Sequence, residues 1–173
     1  MPPHVTAEIA KAEGWWFRPE YLFNQLNINS AIACPANGET LVLAPGNELY
    51  SIKGYAYSGG RRKINRVEIS FDVGVTWELA QLRHPEFEES YAPRQNSKWW
   101  CWCFFQYEVQ TISLLQCKEI RCRAWDEASN CQPANLTWNV MGMGNNPHFR
   151  VEVHPESLPS VRPYCSTAGL CAH

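Results

Sequence analysis

The chain has no stretch approaching the ~18 uninterrupted apolar residues that a membrane-crossing helix needs, and its first residues, MPPHVTAEIAKAEG, lack the apolar centre of a secretory signal. Neither a membrane protein nor a secreted one is expected, and the cytoplasm is the expected compartment. Net charge is also scarce, at −2, and no long basic run occurs, so neither nucleic acid nor a membrane surface is expected to hold the chain by electrostatics. The one basic cluster, Arg61, Arg62 and Lys63 beside Gly59 and Gly60, reads as a solvated hairpin tip. Apolar residues almost nowhere recur at helical spacing for more than two turns, which argues against a helical body.

Signatures of catalysis are missing too. The five His stand apart at 4, 84, 148, 154 and 173, and no Gly-x-Ser-x-Gly elbow accompanies them, so a hydrolytic triad is unsupported. Of the eight Cys, Cys101 and Cys103 alternate with Trp100 and Trp102 in an apolar run, where a thiol behaves as a small hydrophobe; reduced thiols are expected. Cys101-x-Cys103, with Cys117 and Cys122 further on, is poorly spaced for zinc, since residues two apart in a strand chelate one ion less readily than a Cys-x₂-Cys turn does. No metal site is expected, and Cys101 or Cys103 as a nucleophile would have no base nearby in sequence. Glu86, Glu88 and Glu89 follow His84-Pro85 in a polar stretch that reads as a solvated loop.

What is present is β-pattern. With 173 residues the chain can bury a real core in one domain. Strands are predicted near Ile28–Cys34, Thr40–Leu43, Glu48–Tyr57, Asn65–Asp72, Thr76–Leu82, Trp99–Gln110, Glu119–Trp125 and Phe149–Val153, separated by Gly, Pro and Asn clusters; so many short strands imply a two-sheet sandwich. In the fourth, Val67, Ile69 and Phe71 fall on a core face and Arg66, Glu68 and Ser70 on a water face. Asp72-Val73-Gly74 makes the following turn with Gly74 at positive φ, and Trp77 is expected to close the end of the sandwich. Ile120, Cys122 and Ala124 share one face of a later strand, opposite Arg121, Arg123 and Trp125.

Three regions fall outside this pattern. The lead-in EGWWFRPEYLFNQLNINSAI is too aromatic for a solvated linker, and Trp15, Trp16 and Phe17 imply a contact with another domain or chain. The segment WNVMGMGNN, residues 138–146, sets a Trp and two Met around Gly142 and Gly144. It reads either as a core strand with a bulge before a turn or as a loop facing a pocket. The tail SLPSVRPYCSTAGLCAH loses alternation and is expected to be mobile.

Four stretches, EGWWFRPEY, IKGYAYSGG, RVEISFDVGVTW and KEIRCRAWDEASNCQPANLTWNVMGMGNNPHFRV, with WWCWCFF between them, resemble the dimerisation domain of the sulfite oxidase and nitrate reductase group of molybdenum-cofactor enzymes, most of all eukaryotic, fungal assimilatory nitrate reductases. The resemblance implies an all-β, immunoglobulin-like two-sheet β-sandwich with an irregular aromatic N-terminal lead-in. It divides the chain into residues 1–24, resembling the end of the molybdenum domain, 25–156, the dimerisation domain, and 157–173, a mobile tail. It implies a homodimer that also packs on a molybdenum catalytic domain, with Trp15, Trp16 and Phe17 at that seam. Sulfite oxidases carry Arg where Met141 stands in Trp138-Asn139-Val140-Met141-Gly142. Met141, and Asn139 less directly, is thereby implied to line the substrate pocket, a neutral thioether favouring singly charged nitrate over doubly charged sulfite. The family's molybdenum-binding Cys and molybdopterin ligands have no counterpart here, so the chain alone is expected to hold no cofactor and to be inactive. Two departures stand out: Asp72-Val73-Gly74 where Asp-Gly-Gly is usual, and Gly144 where a second Met is typical. The alternative is a free-standing immunoglobulin-like module that stacks its Trp and Tyr on a ligand such as a carbohydrate.

Overall fold

A computed structural model describes residues 1–43, 48–88, 98–100 and 102–157. Their strands form two sheets. The first runs in the order β1 (Asn29–Cys34), β3 (Leu49–Tyr57), β7 (Cys103–Gln110), β6 (Gln81–Arg83) and is antiparallel throughout. The second runs β2 (Glu39–Leu43), β9 (Phe149–Ser157), β8 (Glu119–Asp126), β4 (Ile64–Ser70), β5 (Glu78–Leu79), with only β2 and β9 parallel. The result is the all-β two-sheet sandwich that the strand pattern implies, immunoglobulin-like as the resemblance implies. Three short helices, α1 (Ala7–Ala12), α2 (Pro85–Glu88) and α3 (Thr111–Leu114), complete the described elements, with 3₁₀ turns at Trp15–Phe17 and Pro19–Tyr21. None of these helices is long and apolar enough to cross a membrane.

Alternation decides which side chains meet between the sheets. In β8, Ile120, Cys122 and Ala124 are fully buried and Arg121, Arg123 and Trp125 face outward. They pack with Leu41, Val67, Ile69 and Val151 against Ile32, Ile52, Ala56 and Phe105 of the first sheet. In β4 the buried Ile64 and Val67 lie three apart, which strict alternation forbids; a register shift between Ile64 and Arg66 absorbs the extra residue. Gly54 exists for closeness: a Cβ there would stand 2.2 Å from the Ala31 carbonyl oxygen and 2.3 Å from the Phe105 ring.

Several expectations need correcting. The run Thr76–Leu82 is two strands, not one: β5 pairs with β4 and β6 with β7, and the chain changes sheets at buried Ala80, whose N–H donates to the Val67 carbonyl at 2.9 Å. The strand expected from Trp99 begins at Cys103 among the described residues. Phe149–Val153 extends to Ser157, because β2 continues the pairing in parallel. Ser70 is buried rather than wet, since its hydroxyl is needed in the turn: it donates to Asp72 Oδ1 and accepts from the Gly74 N–H, both at 2.8 Å. Trp77 lies on the outer face of the second sheet, under the Arg123 guanidinium at 3.9 Å and edge-on to His148, rather than closing the core. The basic cluster is solvated at Arg61 but half-buried at Arg62 and Lys63. Arg61 covers Trp100, Lys63 covers Trp99, and Arg62 binds Asp126. Glu86 and Glu88 belong to α2, while Glu89, Cys101 and the tail from Leu158 lie outside the described residues.

Candidate functional site

Two buried polar side chains position one end of the sandwich. Asp126, with no exposed surface, accepts from Ser58 Oγ and Arg62 Nε at 2.8 Å, Asn130 Nδ2 at 2.9 Å, and the N–H groups of Ala128 and Asn130. Burial pushes its carboxyl up, but the hydrogen bonds from Asn130, Ser58 and Arg62 outweigh it and hold the group below the usual carboxylate range. Arg62 Nη1 also donates to Gln25 Oε1 at 3.0 Å, which ties the lead-in to the sheet. Gln132 is the second anchor. Its Oε1 accepts from Ser30 Oγ at 2.6 Å and the Ala124 N–H at 3.0 Å, and its Nε2 donates to the Pro147 carbonyl at 2.7 Å and Asn29 Oδ1 at 3.1 Å.

With Gln132 and Pro147 pinned, and Asn146 Nδ2 donating to the Ile28 carbonyl at 2.9 Å, residues 133–145 project as a loop from the sandwich end. The segment 138–146 contains no strand, so of its two readings the bulged core strand is excluded. Asn139 organises the tip: its Oδ1 accepts from the N–H groups of Met141 at 3.2 Å and Met143 at 3.1 Å, and its Nδ2 donates to the Met143 carbonyl at 3.0 Å. Met141 and Met143 consequently point outward, 54% and 66% exposed. Gly142 and Gly144 take positive φ, and the Phe23 ring lies so close to Gly144 that a Cβ there would be 3.1 Å from its Cζ.

This contact joins the lead-in to the loop. Trp16, Leu22 and Phe23 from one side and Val140, Met141 and Met143 from the other line an apolar cavity of ≈ 320 Å³. The three aromatics of the lead-in differ in placement. Trp15 donates from Nε1 to Glu13 at 2.8 Å and is capped by the Arg18 guanidinium at 3.7 Å; Trp16 faces the cavity; Phe17 stands 83% exposed. Sequence reasoning found Met141 and Trp16 separately but not the residues between them. Leu22 and Phe23 carry no pattern, whereas the Asp126 hub had a signal in the turn-forming Asp-Glu-Ala-Ser-Asn run.

Around Glu68 the outer face of the second sheet is matched within itself. Glu68 pairs with Arg123 at 2.6 Å and Arg66 at 3.5 Å and accepts from Trp125 Nε1 at 3.2 Å, while Arg66 lies over the Trp125 ring. His148 sits at its margin with Nδ1 buried and without a hydrogen bond; burial and then Arg123 lower its pKa.

Nucleophilic chemistry finds little support in the thiols. Cys103 Sγ lies 3.7 Å from His84 Nε2, a proximity the sequence did not reveal, yet burial pushes that thiol up to about 12, as it does Cys122. The five described cysteines, 34, 103, 117, 122 and 131, are free.

A family model described as the Mo-co oxidoreductase dimerisation domain matches residues 20–156. The chain belongs to this family. It is 50% identical over 175 residues to an NAD(P)H nitrate reductase of Hordeum vulgare, across 98% of this chain and 18% of the relative. It is also 49% identical over 156 residues to NADH nitrate reductase 2 of Nicotiana tabacum, across 89% of this chain and 17% of the relative. The chain thus spans under a fifth of the length of these plant enzymes. The cofactor that the family name implies does not fit the residues present. Among the described residues no three His, Cys, Asp or Glu side chains converge as metal donors, and the buried thiols of Cys103 and Cys122 are held protonated.

Proposed function

We propose that this chain is the dimerisation module of a molybdenum-cofactor nitrate reductase acting in cytoplasmic nitrate assimilation, reducing nitrate to nitrite, with residues 25–156 as the module and 1–24 as the end of the catalytic domain that carries the molybdenum-molybdopterin. On this reading its partners are a second copy and that catalytic domain, not nucleic acid or membrane, and the chain by itself is inactive. The observation that carries the proposal is the shared cavity of lead-in and loop, an apolar end surface with Met141 at its rim. Such a surface suits burial against a neighbouring domain, with Trp16 and Phe17 in the seam and Met141 facing the substrate entrance. Asn139 then acts through the loop it holds, since its amide is engaged with backbone.

A chimera tests this. This chain replaces the matching segment of the Hordeum vulgare enzyme, and nitrate turnover is measured with Met141 intact and as Met141→Arg. The intact chimera is expected to turn over nitrate, and Met141→Arg to lower kcat/KM for nitrate at least tenfold with its molybdenum content unchanged. Equal turnover by the two chimeras would refute the pocket role, and an intact chimera that folds without activity would refute the module. The carbohydrate-binding alternative is not favoured, because Trp102 stacks on Tyr55 at 4.5 Å and on Tyr57 at 6.0 Å and so uses its ring on its own sheet.

A further inference from the structure

Where the loop 133–145 leaves and rejoins the sandwich, a second cavity, of ≈ 570 Å³, opens beside the outer face of the second sheet. Two cations stand next to each other in its wall. Arg121 of β8 and Arg150 of β9 are direct cross-strand partners, and both point outward because Ile120, Cys122 and Val151 point inward. Like charges set directly opposite destabilise an antiparallel pair, so the arrangement has a cost that something else must offset. The local countercharge does so only in part. Glu119 accepts from Nε of Arg121 and leaves its two Nη groups without a hydrogen bond among the described residues, although that side chain is only 17% exposed. Arg150 makes no ion pair among the described residues. Glu119 and Glu152 form the neighbouring row along the strands and line a different cavity; among the described residues no carboxylate lines this one. His148 also lines it, and burial first, then Arg123 and Arg121, make its imidazole less basic, as a positive local field does.

We infer that this cavity is a binding site for a tetrahedral oxyanion of the phosphate class, taken either as the free anion or as the head of a phosphate monoester. Guanidinium groups present paired N–H donors that match phosphate oxygens, and an anion seated between Arg121 and Arg150 turns one repulsion into two attractions. A dianion gains more from two cations than a monoanion does, so phosphate is favoured over nitrate. Neutral donors complete the wall. Asn29 Oδ1 accepts from the Ser30 N–H at 2.9 Å and from Gln132 Nε2 at 3.1 Å, which fixes the amide and leaves its Nδ2 donors to spare. Leu136 and Phe149 give the cavity an apolar side, and its volume leaves room for an organic group beyond the anion. The site is distinct from the cavity at Met141: Asn135 and Asn145, near the two ends of the loop, line the one, and Val140, Met141 and Met143 at the tip line the other. An anion held between the ends steadies the loop that carries Met141. The inference goes beyond the nitrate reductase reading and does not depend on it.

The test titrates the full chain by isothermal calorimetry at constant ionic strength with inorganic phosphate, phenyl phosphate and nitrate, with circular dichroism to certify the fold of each variant. Wild type is expected to bind one phosphate per chain with a Kd of about 1 mM or tighter, and nitrate at least tenfold more weakly. Arg150→Gln, at an exposed position, is expected to raise the phosphate Kd at least tenfold, whereas Lys11→Gln, which removes one exposed cation from α1, changes it less than twofold. Phenyl phosphate bound at least tenfold more tightly than inorganic phosphate assigns the site to a monoester, and equal affinity assigns it to the free anion. Hydrogen exchange is expected to slow in residues 134–136 and 145–150 at saturating phosphate and to stay unchanged in 50–57. No saturable phosphate binding up to about 10 mM, nitrate bound as tightly as phosphate, or equal effects of Arg150→Gln and Lys11→Gln would each overturn the inference. If Arg150→Gln fails to fold, wild-type binding without slowed exchange in 134–136 and 145–150 overturns it as well.

Discussion

Val73 holds a backbone conformation that its side chain opposes. At φ 62 it is a β-branched residue in the left-handed region, followed by Gly74 at φ 90. The turn persists because Asp72 accepts from the Thr76 N–H at 2.8 Å and Oγ1 at 2.6 Å, bonds that hold its carboxyl down at about 2. A left-handed non-Gly residue costs on the order of 1–3 kcal/mol, and glycine returns roughly 0.4–1 of that through its freer unfolded chain. Val73 is 59% exposed, so little burial is lost with it. Val73→Gly is therefore expected to stabilise the domain by about 1 kcal/mol, read as a rise of about 2–4 °C in Tm. His148 makes the opposite kind of residue-scale claim. Burial and Arg123 keep its folded imidazole less basic than in the unfolded chain, with Arg121 adding to that and Glu68 opposing. Below pH ~6.5 the unfolded state takes up a proton that the folded state refuses, so this contribution to stability is complete above that pH and lost as pH falls through the folded pKa. Urea midpoints measured between pH 7.5 and 5 are expected to fall for wild type and to fall less for His148→Gln; equal slopes would count against the assignment.

At the scale of elements, close approach and tethering matter more than propensity. Gly54 lets the Phe105 ring and the Ala31 carbonyl meet across its backbone, and with backbone on one side the site has no room to relax. Gly54→Ala is expected to cost about 1–3 kcal/mol, the range for overpacking a filled core, and to lower the urea midpoint without changing the slope of the transition. Gln132 fastens a loop rather than a core: Gln132→Leu leaves the Ala124 N–H without its acceptor, at roughly 1–3 kcal/mol for a buried group so stranded, while Ser30 Oγ keeps only the Cys122 thiol at 3.3 Å. Faster proteolysis within residues 133–145 than in wild type, with sheet content unchanged by circular dichroism, is the outcome that checks it. These devices mark the limit of what the residues disclosed. Period-2 alternation located β3, β4 and β8 and the buried faces of Ile120, Cys122 and Ala124, because those faces answer to one local rule. The change of sheet at Ala80, the burial of Ser70 and the meeting of Phe23 with Gly144 each depend on a partner distant in sequence, and no local pattern encodes that. Met141 emerged from the resemblance alone; that Trp16 shares its cavity required the fold.

The described residues present three kinds of surface on one sandwich: a charged face matched around Glu68, a face where Tyr55, Tyr57, Trp102 and Phe104 cluster beside Lys53 and Glu108, and an apolar end built from lead-in and loop. Their separation means that a neighbour docked at the end, as proposed, leaves both sheet faces uncovered. It also gives the end a definite behaviour. Phe17, Leu22, Phe23, Met141 and Met143 are each more than half exposed, and they sit on short 3₁₀ turns and a loop whose backbone has few sheet hydrogen bonds. Such segments open at low free-energy cost and exchange their amide hydrogens quickly, whereas β3 and β8 open only with the whole domain. Fusing the part of the Nicotiana tabacum relative that precedes its matched segment upstream of residue 1, so that the lead-in of this chain is kept, supplies the proposed cover. Hydrogen exchange read by mass spectrometry is then expected to slow at least tenfold in residues 15–26 and 138–146 and to stay unchanged in 50–57 and 119–126. Slowing spread evenly over all four segments would mean general stabilisation instead of a docked end, and no slowing at 138–146 would remove Met141 from the seam.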